Sequence, residues 1–165
     1  MQYDGDVSRA KQVLADLKTH YPGASTYQIA GFFWWQGDRD SRSEALSSRY
    51  EKNLVHLIKQ LRKDFNAPKA KFVCATLGQT RKGETGNGGK ILEAMLAVDG
   101  RTGKYPEFKG NVATVYTYPL SRGGGSGNHY HTNAETYMNV GVAMGKAMVN
   151  LLHPDPSAVK TQKEP

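Results

Sequence analysis

The sequence predicts an α/β protein: a parallel sheet covered by helices on both faces. Two observations carry this. Helical and extended segments alternate as α-β-α-β-α-β-α along 165 residues, an order that makes successive strands parallel through right-handed crossovers. The first extended segment is apolar and aromatic almost throughout, as a strand buried on both faces must be.

In residues 6–20 the apolar positions Val7, Ala10, Val13, Leu14 and Leu17 recur at helical spacing, and Tyr21-Pro22-Gly23 is a stop signal. Residues 27–35 follow as a strand. A second helix is expected over 45–65, with Leu54, Leu57, Ile58, Leu61 and Phe65 on one stripe and Lys52, Lys59, Arg62 and Lys63 away from it. Pro68 precedes a strand at 71–77. Residues 78–89 hold five glycines and read as a long loop before a helix at 90–98. The segment Gly86-Asn87-Gly88-Gly89 lacks the Gly-Lys-Ser/Thr ending of a phosphate loop, so it reads as a connection. After the turn-rich 99–111, residues 112–118 form a third strand, and 121–128, with Gly123-Gly124-Gly125, a mobile loop. The last helix covers 134–152, and a charged tail over 153–165 is expected to be disordered.

The length suits one domain, or part of one. With 22 basic and 15 acidic residues the net charge is +7, but the cations are interspersed with acids, as on solvated helix faces. Neither nucleic acid nor membrane is therefore an expected partner. Cys74, the single cysteine, reads as a small buried strand residue between Val73 and Ala75. No apolar stretch approaches the roughly 18 residues of a membrane span, and the first residues lack the apolar segment of a signal peptide.

A strand as apolar as 29–35 wants a neighbour on each side, yet a helix precedes it. An exposed apolar edge promotes aggregation, so further sheet strands are expected upstream of Met1. The alternative is a small complete domain whose helix 6–20 shields that edge.

The polar cluster Gln36, Gly37, Asp38 and Asp40 closes the first strand, and His129 and His131 precede the last helix. Parallel strands share one carboxyl-terminal rim, so these groups can converge although about 90 residues separate them. An imidazole, a carboxylate and an amide donor are three of the four parts of an acyl-transfer site. The fourth, a nucleophile, is not evident: Gly124-Gly125-Ser126-Gly127-Asn128 misses the G-x-S-x-G elbow, and Cys74 lies mid-strand. His129 and His131 with a carboxylate could also hold a metal, but no further ligand has characteristic spacing.

Residues Ile29-Ala30-Gly31-Phe32-Phe33-Trp34-Trp35-Gln36-Gly37-Asp38, then Arg49-Tyr50-Glu51-Lys52-Asn53-Leu54 running into Leu61-Arg62-Lys63-Asp64, resemble the sialate O-acetylesterase-like (SASA) carbohydrate esterases of the SGNH hydrolase superfamily. So do Pro106-Glu107-Phe108-Lys109-Gly110-Asn111-Val112 and His129-Tyr130-His131-Thr132-Asn133-Ala134-Glu135-Thr136-Tyr137 with Gly141-Val142-Ala143-Met144-Gly145-Lys146-Ala147-Met148. The similarity is collinear over about residues 5–152.

The resemblance implies a flavodoxin-like three-layer α/β/α domain that hydrolyses O-acetyl esters on sugars through serine, histidine and a carboxylate, without metal or other cofactor. It assigns Gln36 to the oxyanion and His129 to general base, then acid. Asp38 stands where the family usually has glutamate and is one methylene shorter. Ser126 occupies the place three residues before His129 where the superfamily commonly has aspartate; counting from His131 gives Asn128. The orienting acid is then Asp38, Asp40 or a residue outside this chain. Gly37, Asp40, Trp35, Tyr130 and His131 would contact the acetylated carbohydrate.

The family's Gly-Gln-Ser-Asn-like turn has no counterpart between Met1 and Pro165. The chain is thus expected to be the carboxyl-terminal portion of such a domain, over residues 1–152. Its partner would be the missing amino-terminal part, its isolated activity close to nil, and its parent protein secreted or periplasmic. The alternative is a non-catalytic carbohydrate-binding module that stacks sugars on Trp35, Tyr130 and Tyr118.

Overall fold

The computed structural model describes residues 2–122 and 128–154. Its sheet has three parallel strands in the order β1 (Gly31–Trp34), β2 (Lys71–Ala75), β3 (Val112–Val115). Gly31 pairs with Lys71 and Trp34 with Cys74 in one ladder, Phe72 with Val112 and Ala75 with Val115 in the other. Each strand is shorter than its apolar run, because the ladder ends where the chain turns toward the next helix. Thr76, Leu77 and Thr117 stay buried beyond it. Tyr118, expected at the end of the third strand, instead opens a 3-10 turn (Tyr118–Leu120) that places Pro119 in its first positions.

Helix α1 (Gln2–Ala15) and the single turn α2 (Leu17–His20) divide the expected helix at Asp16, and neither contains a buried residue. The periodicity forms a helix but finds little to pack on. Tyr3 Oη donates to Asp64 Oδ2 at 2.6 Å, and Lys11 Nζ lies 5.9 Å from the centre of the Phe65 ring. α1 thus borders β1 without covering it.

After the short α3 (Asp38–Ser41) comes α4 (Glu44–Asp64), whose stripe buries Tyr50, Leu54 and Ile58. α5 (Gly86–Ala97) starts four residues before the expected position 90. Gly89 permits this: a Cβ there would lie 1.9 Å from the Glu84 carbonyl oxygen, so only glycine lets the first turn close against the loop. α4 and α5 cover one face of the sheet, where Phe72, Cys74, Ile91, Met95 and Val98 form the larger core. α6 (Asn128–His131) is a short turn, and α7 (Ala134–Leu152) covers the other face over β2 and β3, packing Val140, Met144 and Met148 on Val73 and Ala75.

β1 is an edge strand, with no strand on its outer side among the described residues. Phe33 pairs with Val73, so it points to the α7 face, yet it is 55 % exposed. On the opposite face Phe32 and Trp34 line a groove of about 770 Å³ with Leu57, Leu61, Phe65 and residues of α1. Cys74 is fully buried on the central strand, and burial pushes its thiol pKa up to about 12. No helix among the described residues is long and apolar enough to cross a membrane. The expected mobile glycines 123–125, with Ser126, and the tail from residue 155 lie outside the described residues.

Asp99 fastens β3 to the end of α5. Its carboxylate accepts the N–H groups of Arg101, Thr102 and Thr114 at 2.8 to 3.0 Å. Partial desolvation raises its pKa, but these bonds and the Thr102 hydroxyl outweigh it and hold the group below the usual carboxylate range. A depressed native pKa gives stability above the unfolded value that is lost as pH falls through the folded value. Asp99→Asn is therefore expected to cost about 1.5–3 kcal/mol at neutral pH, and the gap from the parent should begin to narrow as pH falls below about 4. Urea unfolding at pH 7 and pH 3 checks both.

Candidate active site

At the carboxyl-terminal rim of the sheet, Trp35, Gln36, Gly37, Asp38, Arg39, Arg42, Leu77, His129, Tyr130 and Tyr137 line one cavity of about 450 Å³. The polar end of β1 and the imidazole before α7 thus meet across the end of β2, as the parallel topology requires.

The β1 end is fixed from below. Tyr50 Oη accepts from Trp34 Nε1 at 3.2 Å and donates to the Gln36 carbonyl. Burial drives the Tyr50 pKa well above the usual phenol value, so this hydroxyl stays protonated as a donor. Gly37 is buried against α4 and α5; a Cβ would approach Met95 Cε to 2.9 Å and Ile91 Cγ2 to 3.0 Å. The chain thereby turns with the Gln36 side chain outward, where its amide donates to Asp40 Oδ2 at 3.1 Å. Asp38 pairs with Arg42 at 2.6 Å.

The histidine side is built differently. His129, Tyr130, His131 and Thr132 all take left-handed φ, between 51° and 58°. For residues other than glycine this costs roughly 1–2 kcal/mol each, so surrounding contacts must hold the turn. Tyr130 supplies several: it is 6 % exposed, its ring stacks on Trp35 with centroids 5.7 Å apart, and its hydroxyl accepts from the Gly78 N–H at 3.1 Å. Tyr137 Oη donates to the His129 carbonyl at 3.1 Å, and its ring packs edge-on to Trp35. Asn133 then caps α7 by accepting the Thr136 N–H at 2.8 Å. The turn leaves the His129 side chain exposed at the cavity.

Gln36, Gly37, Asp38, Trp35, Tyr130 and His129 are therefore brought together. Asp40 faces the groove beside β1, where the Gln36 amide bonds to it, and exposed His131 does not line the cavity. Tyr118 stands apart, stacked on Tyr116 at 6.3 Å. Tyr130 is too enclosed to offer a free stacking face; Tyr137, 40 % exposed, is the more accessible ring. Arg39 and Arg42 add two cations to the wall, a role not evident in the sequence although both flank the strand-end cluster.

No serine or cysteine lines the cavity among the described residues. Ser41 Oγ donates to the Asp38 carbonyl at 2.8 Å, and Ser121 Oγ is enclosed beside Gly78 and Tyr130. The described residues contain no group of three or more histidine, cysteine, aspartate or glutamate side chains placed to hold a metal ion.

The sequence profile of the SASA family, described as carbohydrate esterase, sialic acid-specific acetylesterase, matches residues 1–150. The chain belongs to this family. No curated protein matches the chain. Among solved structures, a protein from Arabidopsis thaliana superposes with a TM-score of 0.60 at 23 % identity, over 90 % of this chain and 52 % of the other. This SASA chain thus spans about half the length of that protein and shares its fold. The α/β architecture and the parallel sheet agree with the family expectation.

Proposed function

We propose that the rim cavity of this SASA chain serves hydrolysis of acetyl esters on carbohydrates, by a serine-type mechanism whose hydroxyl is brought by a further strand beside β1. The supporting observation is the convergence of Gln36, Asp38 and His129 on one cavity. His129 takes the proton of the attacking hydroxyl and returns it to the sugar alkoxide; in deacylation it activates water. The Gln36 amide donates to the tetrahedral oxyanion, exchanging its bond to Asp40 for one to the substrate. Asp38, with Arg42, supplies the carboxylate side of the site. Trp35 and Tyr137 offer apolar ring surface to the sugar.

The open flank of β1 supports the same reading. A parallel strand laid along it would satisfy the edge, cover the apolar groove of Phe32 and Trp34, and end on the rim beside Gln36. The amino-terminal part of the same domain is the proposed source. The isolated chain, without that hydroxyl, is then nearly inactive.

The test is acetate release from an O-acetylated sugar, comparing the chain alone with the polypeptide translated from the whole reading frame that encodes it. Release confined to a longer polypeptide and stopped by a serine-directed organophosphate supports the proposal. Release by this chain alone, insensitive to that reagent, overturns it. Saturable glycan binding with no release from either would favour the second reading, a binding module that uses the Trp35 and Tyr137 rings.

A further inference from the structure

We infer that Gln79 is a positioning residue that locks the Asp38 carboxylate and the His129 turn into one arrangement, an inference that rests on the esterase reading of the cavity. Gln79 follows β2 in the loop before α5 and does not line the cavity itself. Its amide is used at both ends. Tyr130 Oη donates to Gln79 Oε1 at 3.1 Å, while Gln79 Nε2 donates to Asp38 Oδ1 at 3.4 Å.

The direction of these bonds is constrained. The Tyr130 hydroxyl accepts from Gly78 N–H, so its proton is free to point at Oε1. Asp38 can only accept when ionised, which requires a donor at the other end of the Gln79 side chain. A primary amide of this length supplies an acceptor and a donor at once; a carboxylate or a thioether does not. One side chain after β2 thus connects the acid after β1 to the turn before α7.

This link explains how a run of four left-handed residues keeps a fixed relation to the opposite wall. Tyr130 is held by Trp35 stacking, by the bond it accepts from the Gly78 N–H and by the one it donates to Gln79 Oε1. His129 is its immediate neighbour, so whatever moves Tyr130 moves the imidazole. The arm to Asp38 is the longer of the two, and the acid is therefore the part that Gln79 holds more loosely.

The test compares Gln79→Glu and Gln79→Met with the parent chain by NMR, following the Asp38 carboxyl carbon and the histidine ring protons against pH. Thermal unfolding checks that both variants fold. Gln79→Glu places a second carboxylate against Asp38, and is expected to raise the Asp38 midpoint by about one pH unit or more. Both variants are expected to shift the His129 ring resonances while leaving His153, at the far end of α7, unchanged.

In the folded variants, an unmoved Asp38 titration or unmoved His129 signals would overturn the inference even if acetate release from the longer polypeptide persists. If the coupling is observed but no polypeptide carrying the chain releases acetate, the Gln79 link stands and the esterase reading falls.

Discussion

Replacing His129 with asparagine is expected to lower acetyl-ester hydrolysis by about three to six orders of magnitude in the polypeptide that also supplies the hydroxyl, measured as kcat/KM on p-nitrophenyl acetate and on an O-acetylated sugar. Asparagine is chosen because it tolerates the left-handed backbone at φ 51° better than alanine does. The side chain is exposed, and Tyr137 bonds to the backbone carbonyl of residue 129, so the turn should survive. No other imidazole lines the cavity among the described residues. His131→Asn, at φ 52°, is the matched control and should stay within about threefold of the parent. Equal losses in both variants would mean that the turn, and not the His129 imidazole, carries the effect.

The largest expected stability effect is at Phe72. Its side chain is 0 % exposed on the central strand, in the core that α4 and α5 close. Phe72→Ala removes most of a buried ring and leaves a cavity among fixed neighbours, at a cost of about 3–5 kcal/mol. Against a total stability of about 5–15 kcal/mol for a domain, that loss is a large fraction, and at the low end of the range it would unfold much of the population. Phe72→Leu keeps more of the volume and should cost about 1–2 kcal/mol, so urea titration can rank the series. Phe33 is the contrast: one strand over and 55 % exposed, it should lose less than about 1 kcal/mol on truncation in the isolated chain. If a further strand and its helix cover β1, the Phe33 value should rise toward that of a core residue.

The elements that could be read from the sequence are those whose own pattern matches their tertiary surroundings. The stripe of Leu54, Leu57, Ile58 and Leu61 marks the buried side of α4, and the apolar run at Phe72, Val73 and Cys74 marks a strand covered on both faces. α1 shows the limit: its spacing forms a helix, but spacing carries no information about whether a partner surface exists. The start of α5 was obscured because Gly86 to Gly89 look like loop residues, whereas Gly89 is required by contact with the Glu84 carbonyl.

The candidate site divides in the same way. Gln36, Asp38 and His129 were visible as polar residues at the ends of predicted elements, and parallel topology gathers them. Gln79 and Tyr137 were not visible as site residues, because their roles come from bonds that span 41 to 51 residues in Gln79's case and from ring packing around Trp35 in Tyr137's. Asp40 and His131 lie close to the cluster in sequence, and closeness in sequence does not fix direction. A one-turn helix at one and a left-handed turn at the other direct them elsewhere.

The enclosed sulfur of the middle strand gives this molecule its own clock. A thiolate is the form that alkylates, and Cys74 is withheld from it both by a raised pKa and by lack of solvent access. Iodoacetamide can therefore label the protein only during openings that part the strand from its helices. With no second thiol in the chain, the labelling rate reports that event alone, and any segment that seats against the outer strand should register as a slower rate.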